Sequence, residues 1–81
     1  MDMRRLVGSN FARIRREMGL TQEEVAERSG FSQQYISSLE NGRRNPTVIT
    51  LYELAQALGI GPLDLLAAEE SAGKPTRRKR G

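Results

Sequence analysis

Five uncharged polar side chains crowd one short stretch of the chain: Gln33, Gln34, Ser37, Ser38 and Asn41, within GFSQQYISSLENGRRNP. At about 100° per residue on a helix, Gln34, Ser37, Ser38 and Asn41 lie opposite Ile36 and Leu39, and Gln33 flanks them in the first turn. An amide carries donors and an acceptor side by side, and a hydroxyl supplies both through one short rotor. These are the groups that read base edges in a major groove, where a Gln amide can engage adenine N6 and N7 together. A helix that meets only water usually dresses that side in Lys and Glu. The plain alternative is a tolerated polar surface, since Gln and Ser need no ligand. Arg43 and Arg44 follow, and Gln22 opens a preceding helix whose free N–H groups favour an anion. Contacts from these three to phosphate would position the chain without reading sequence.

Such a ridge has to be held from behind, and the flanking sequence supplies the means. The spacing predicts a first helix over roughly residues 4–18, with Val7, Phe11, Ile14 and Met18 on one stripe and Gly19 as its stop. Thr21 and Glu24 form a capping box, and Leu20 with Val25 a hydrophobic staple, for a helix over residues 22–29. Ser32 caps the next helix, stapled by Phe31 and Ile36 and ending near Asn41. The SGFS connection between these two contains Gly30 and is short enough to force a steep crossing, at which Ala26 faces inward. Thr47 caps a fourth helix carrying Leu51, Leu54, Ala55 and Leu58, and Gly59 ends it. Pro62 suits the first position of a fifth helix, over 62–68. The remaining SAGKPTRRKRG has nothing apolar larger than alanine and is expected to be disordered. No stretch has the alternation of a strand.

The bulk numbers narrow the classes. Eighty-one residues make one small domain, and a hydrophobic fraction of 37% with two Phe, two Tyr and no Trp requires a mostly aliphatic core. The absence of Cys excludes disulfides and thiolate metal sites, and no apolar run approaches the ~20 residues of a membrane span. With no h-region near the first residue, the expected location is the cytoplasm. The net charge of +3 lies entirely in residues 69–81; eight Arg balance eight acidic residues over 1–68. Bulk basicity therefore says little about the folded part. There is no His and no Gly-rich phosphate loop, and Glu23, Glu24 and Glu27 are explained by capping and the helix dipole. Neither an enzyme, a metal nor a cofactor is expected.

LTQEEVAERSGFSQQYISSLENGRRNPTVITLYELAQALGI closely resembles the Cro/cI-type (XRE-family) helix-turn-helix domain of bacterial and phage repressors. The resemblance spans about residues 6–66. Its markers are Arg15 four residues before Gly19, then LTQ, Val25-Ala26, Gly30, Ile36, Leu39-Glu40-Asn41-Gly42, Pro46, and a helix ending in ALG. It implies an all-α, compact five-helix lambda-repressor-like domain over 4–68, with the helix-turn-helix unit at 22–41 and a basic tail at 69–81. By position, Gln33, Gln34 and Ser38 match base contacts, with Ser37 on the same ridge. Gln22, Asn41 and Arg43 match phosphate contacts, with Arg44 beside them. Tyr35 either reaches a phosphate or packs on a neighbouring helix. Arg15 and Glu40 match an ion pair between the first and third helices.

One such unit reads only a few base pairs, so a homodimer on palindromic double-stranded operator DNA is expected. Ile60, Leu63, Leu65 and Leu66 are the expected dimer surface, after some have closed the core. The RRKR tail is expected to be solvated or to add nonspecific phosphate contacts. The leading reading is a sequence-specific regulator of transcription, a repressor. An antitoxin or a restriction–modification controller would use the same domain, and a protein-interaction module without a DNA role is the reading from a different class.

Overall fold

Each helix starts at a side chain that satisfies its first free N–H groups. In the computed structural model, which describes residues 2–68, α1 (Met3–Glu17) opens at Asp2, whose carboxylate accepts from the Arg4 backbone N–H at 3.0 Å. Val7, Phe11 and Ile14 turn inward as their spacing predicts. Met18 does not join them: it lies beyond the last helical residue as the C-cap and stays exposed.

The capping box of α2 (Gln22–Ser29) is complete. Thr21 N donates to Glu24 Oε1 at 2.8 Å, and Glu24 N donates to Thr21 Oγ1 at 3.0 Å. Donation from the Thr21 backbone and hydroxyl holds the Glu24 carboxyl below the usual carboxylate range. A carboxyl lowered on folding stabilises above its unfolded pKa, and that contribution is lost as the pH falls through the folded one. Gly30 ends α2 with φ +85°, which lets the chain reverse within three residues into α3 (Gln33–Glu40). Ser32 Oγ accepts from Tyr35 N at 3.0 Å to open α3, and Thr47 Oγ1 accepts from Thr50 N at 3.1 Å to open α4 (Val48–Leu58).

The fifth helix is shorter than its sequence suggests: a single 3-10 turn over Pro62–Leu65. A buried amide holds the chain just past this turn: Asn10 Nδ2 donates to the carbonyls of Leu65 at 2.9 Å and Ala67 at 2.8 Å, which ties the segment to α1. Asn10 Oδ1 accepts in turn from Arg13 at 3.3 Å.

These elements share one aliphatic interior. Phe11, Val25, Ile36, Leu39, Leu54, Leu58 and Leu65 are at most 1% exposed. Each such side chain contributes about 1.5–3 kcal/mol relative to leaving it in water. α3 packs against α1 and α2, while the closing turn bridges α4 and α1. The described residues contain four α-helices, one 3-10 turn and no strand, the all-α class expected of this sequence. Residues 69–81, where the basic tail is expected to be disordered, lie outside the described residues.

Candidate nucleic-acid interface

α3 is fixed on its inner side and open on its outer side. Ile36 and Leu39 are completely buried, with Phe31 and Tyr35 packed against the core beside them. α1 grips the far end of α3 in two ways. One is a close approach at Gly8, where an added Cβ would fall onto the Leu39 carbonyl oxygen and 3.1 Å from the Glu40 carbonyl. The other is Arg15, whose Nε donates to Glu40 Oε2 at 2.6 Å and Nη2 to Glu40 Oε1 at 3.1 Å. Arg15 Nη1 also takes the Leu20 carbonyl at 2.8 Å, and Gln22 Nε2 donates to Glu40 Oε1 at 2.9 Å. One carboxylate thus gathers α1, α2 and α3. The two charged side chains are 11% and 6% exposed, and donation to Glu40 holds the Arg15 guanidinium above its ordinary range.

Against that support, the predicted ridge is uncommitted. Gln33 and Gln34 are exposed, and Ser37 and Ser38 half-buried. The two serines lend only backbone carbonyls, Ser37 to Asn41 and Ser38 to Asn41 and Arg43. Among the described residues, nothing occupies the amides of Gln33 and Gln34 or the hydroxyls of Ser37 and Ser38. The carboxyl end of the ridge differs. Asn41 Nδ2 turns back to the Ser37 carbonyl at 2.9 Å, which leaves its exposed Oδ1 and one amide hydrogen for a ligand. Gln22 is similarly half-committed, with one amide hydrogen spent on Glu40 and one remaining.

Tyr35 packs against the core. Its ring stacks on Phe31 at 4.9 Å with 20° between planes, while the Arg44 guanidinium sits 5.1 Å above its centroid. Burial pushes the phenol up, with Arg44 opposing, so at neutral pH the hydroxyl remains a donor. The stack also restrains Arg44, which would otherwise sweep freely from the loop. Arg43 is exposed beside it.

The expected dimer surface needs a correction. Leu65 is 0% exposed and belongs to the core, and Ile60 packs partly against that core. In a 3-10 turn, residues three apart eclipse, so Leu63 and Leu66 share the opposite, exposed side. Leu63 is 76% exposed, and Val48, Ile49 and Tyr52 of α4 add further exposed apolar area. No sequence signal singled out Asn10 or Gly8. A lone glycine inside an otherwise regular helical stripe was the available hint for Gly8, since such a residue usually marks a close approach.

A helix-turn-helix family model (HTH_3) matches residues 11–65. The chain is 71% identical over 77 residues to an uncharacterized HTH-type transcriptional regulator, y4dJ, of Sinorhizobium fredii (strain NBRC 101917 / NGR234), covering 95% of this chain and 100% of that one. Among solved structures it is similar to the hypothetical transcription factor NHTF from Neisseria, with a TM-score of 0.82 at 30% identity, over 86% of this chain and 80% of that one. It is also similar to the restriction-modification controller protein C.Esp1396I, solved as a tetramer in complex with its natural 35 base-pair operator. That likeness has a TM-score of 0.74 at 29% identity, over 80% of this chain and 86% of the controller. With the turn at Gly30, the anchored α3 and this match over most of its length, the chain belongs to the XRE-type helix-turn-helix family.

Proposed function

We propose that the protein binds double-stranded DNA sequence-specifically, with α3 in the major groove, and regulates transcription as a repressor. The observation that carries this reading is the free ridge of Gln33, Gln34, Ser37 and Ser38 on a helix whose other side is locked into the core. Rigid support matters because base readout depends on donors held within a few tenths of an ångström of their partners. Gln22, Tyr35, Asn41, Arg43 and Arg44 flank the ridge as phosphate contacts, which set register without adding sequence information. Two adjacent glutamines favour A·T pairs at one or two positions.

Selection of bound duplexes from a random pool tests this directly. The wild-type chain is expected to enrich one motif, and the Gln33→Ala/Gln34→Ala double variant to fold normally and lose discrimination at one or two base pairs. Each lost bidentate contact should cost about 1–3 kcal/mol. A pool from which the wild type enriches nothing, with no duplex preferred, would leave the ridge to a protein partner.

A two-fold dimer on a palindromic site completes the reading. The exposed apolar side chains of Leu63 and Leu66, together with Val48, Ile49 and Tyr52 exposed on α4, support an isologous contact. Leu63→Ser is expected to shift the chain toward monomer in sedimentation while leaving its helicity intact. A wild-type chain still monomeric at tens of micromolar on DNA with two half-sites would sink the dimer. The likeness to C.Esp1396I favours one second reading, a restriction–modification controller that uses the same ridge. The genes beside this one distinguish the two.

A further inference from the structure

The amino end of α1 carries an arginine that none of the contacts above uses. Arg5 lies against the turn that follows α3. A Cβ at Gly42 would stand 2.9 Å from Arg5 Cγ and 3.3 Å from Arg5 Cα, so the Arg5 stem rests directly on Gly42. The next residue along that turn is Arg43, its Cα about 3.8 Å farther on. Arg5, from the first helix, and Arg43, from the turn after α3, are both exposed, and the Gly42 contact brings their backbones close together just past the end of α3.

We propose that Arg5 joins Arg43 in a two-residue clamp on the sugar–phosphate backbone of the bound duplex, so that α1 as well as the helix-turn-helix unit contacts the nucleic acid. This rests on the DNA-binding reading above. The turn itself leaves the anion to side chains, because the backbone N–H groups of Gly42 and Arg43 are taken by the carbonyls of Leu39 and Ser38 at 3.0 Å each. Among the described residues the Arg5 head pairs only with Asp2, at 3.9 Å, with the two side chains 81% and 40% exposed. A pair so long and so wet is a weak competitor for a phosphate. The Gly42 contact also limits the swing of the stem, which lowers the ordering cost that a free surface arginine would meet on binding.

The bland alternative is that Arg5 covers Gly42 with its methylenes and keeps its charge in water. The two roles separate by substitution. Arg5→Met keeps an apolar stem without charge, Arg5→Lys keeps the charge, and Arg28→Met makes the same change in net charge on α2, where the guanidinium turns to the Ala57 carbonyl. The measurement is the affinity of each full-length chain for a duplex selected from the random pool, across a series of salt concentrations. A phosphate contact requires the slope of log K against log salt to become shallower by about 0.9 in Arg5→Met. It also requires recovery in Arg5→Lys, no change in Arg28→Met, and equal weakening on selected and unrelated duplexes. An Arg5→Met slope equal to wild type, with Arg43→Met lowering it, overturns the clamp and leaves the DNA reading standing. A wild-type chain that binds no duplex in a salt-dependent way overturns both.

Discussion

Glu40→Ala is expected to destabilise the fold by about 3–5 kcal/mol, the range for removing one partner of a buried ion pair. A small domain has only about 5–15 kcal/mol to lose, so this one change threatens folding itself. The size comes from what is left behind. Without the carboxylate, the Arg15 guanidinium keeps one acceptor, the Leu20 carbonyl, and Gln22 loses its link to α3. The pair is 11% and 6% exposed, so water cannot take over cheaply. Urea denaturation of the single and double variants separates the penalty from the pair's own worth. Arg15→Met/Glu40→Leu should be far more stable than the sum of the single changes predicts, because no charge remains stranded. Strict additivity would show that the two side chains do not act as a pair. α1, α2 and α3 meet at this carboxylate, so Glu40→Ala should also weaken duplex binding beyond its effect on the folded fraction.

Gly8→Ala comes next, with an expected loss of about 3 kcal/mol, the upper end of the overpacking range. Two effects oppose each other. Alanine is the better helix residue, by roughly 0.5–1 kcal/mol. Against that, the new methyl would meet the Leu39 carbonyl oxygen, which is backbone and has no rotamer into which to retreat. The only relief is for α1 and α3 to move apart, opening the core that both helices close. Ser9→Ala is the matched control, since Ser9 is exposed one residue on. It should gain a few tenths of a kcal/mol from propensity alone. If Gly8→Ala matched that gain, the close approach would not constrain the interface.

Most of the secondary structure is legible in the sequence. The capping box at Thr21 and Glu24, the caps at Ser32 and Thr47 and the stops at Gly30 and Gly59 are complete within three or four residues of chain. The ridge was legible too: once Ile36 and Leu39 are inside, helical geometry leaves the outer side no choice. The first helix is displaced by one residue at each end, because Arg4 and Arg5 separate the Asp2 cap from the apolar stripe that begins at Val7. Met18 continues the stripe yet lies outside the helix, because periodicity does not reveal where a helix ends.

The sequence by itself determined which segments coil, where α2, α3 and α4 start and stop, and which side chains the third helix turns outward, because those features rest on neighbours a few residues away. Only the tertiary structure decided the rest. The Asn10 amide holds carbonyls 55 and 57 residues distant, Gly8 admits the backbone of another helix, and Arg5 comes to lie on Gly42. The same is true of the last apolar residues, where Leu65 went to the core and Leu63 to the surface. Periodicity says that some face of an element is buried, but which residues of a four-residue turn supply it depends on how helices from both ends of the chain are stacked.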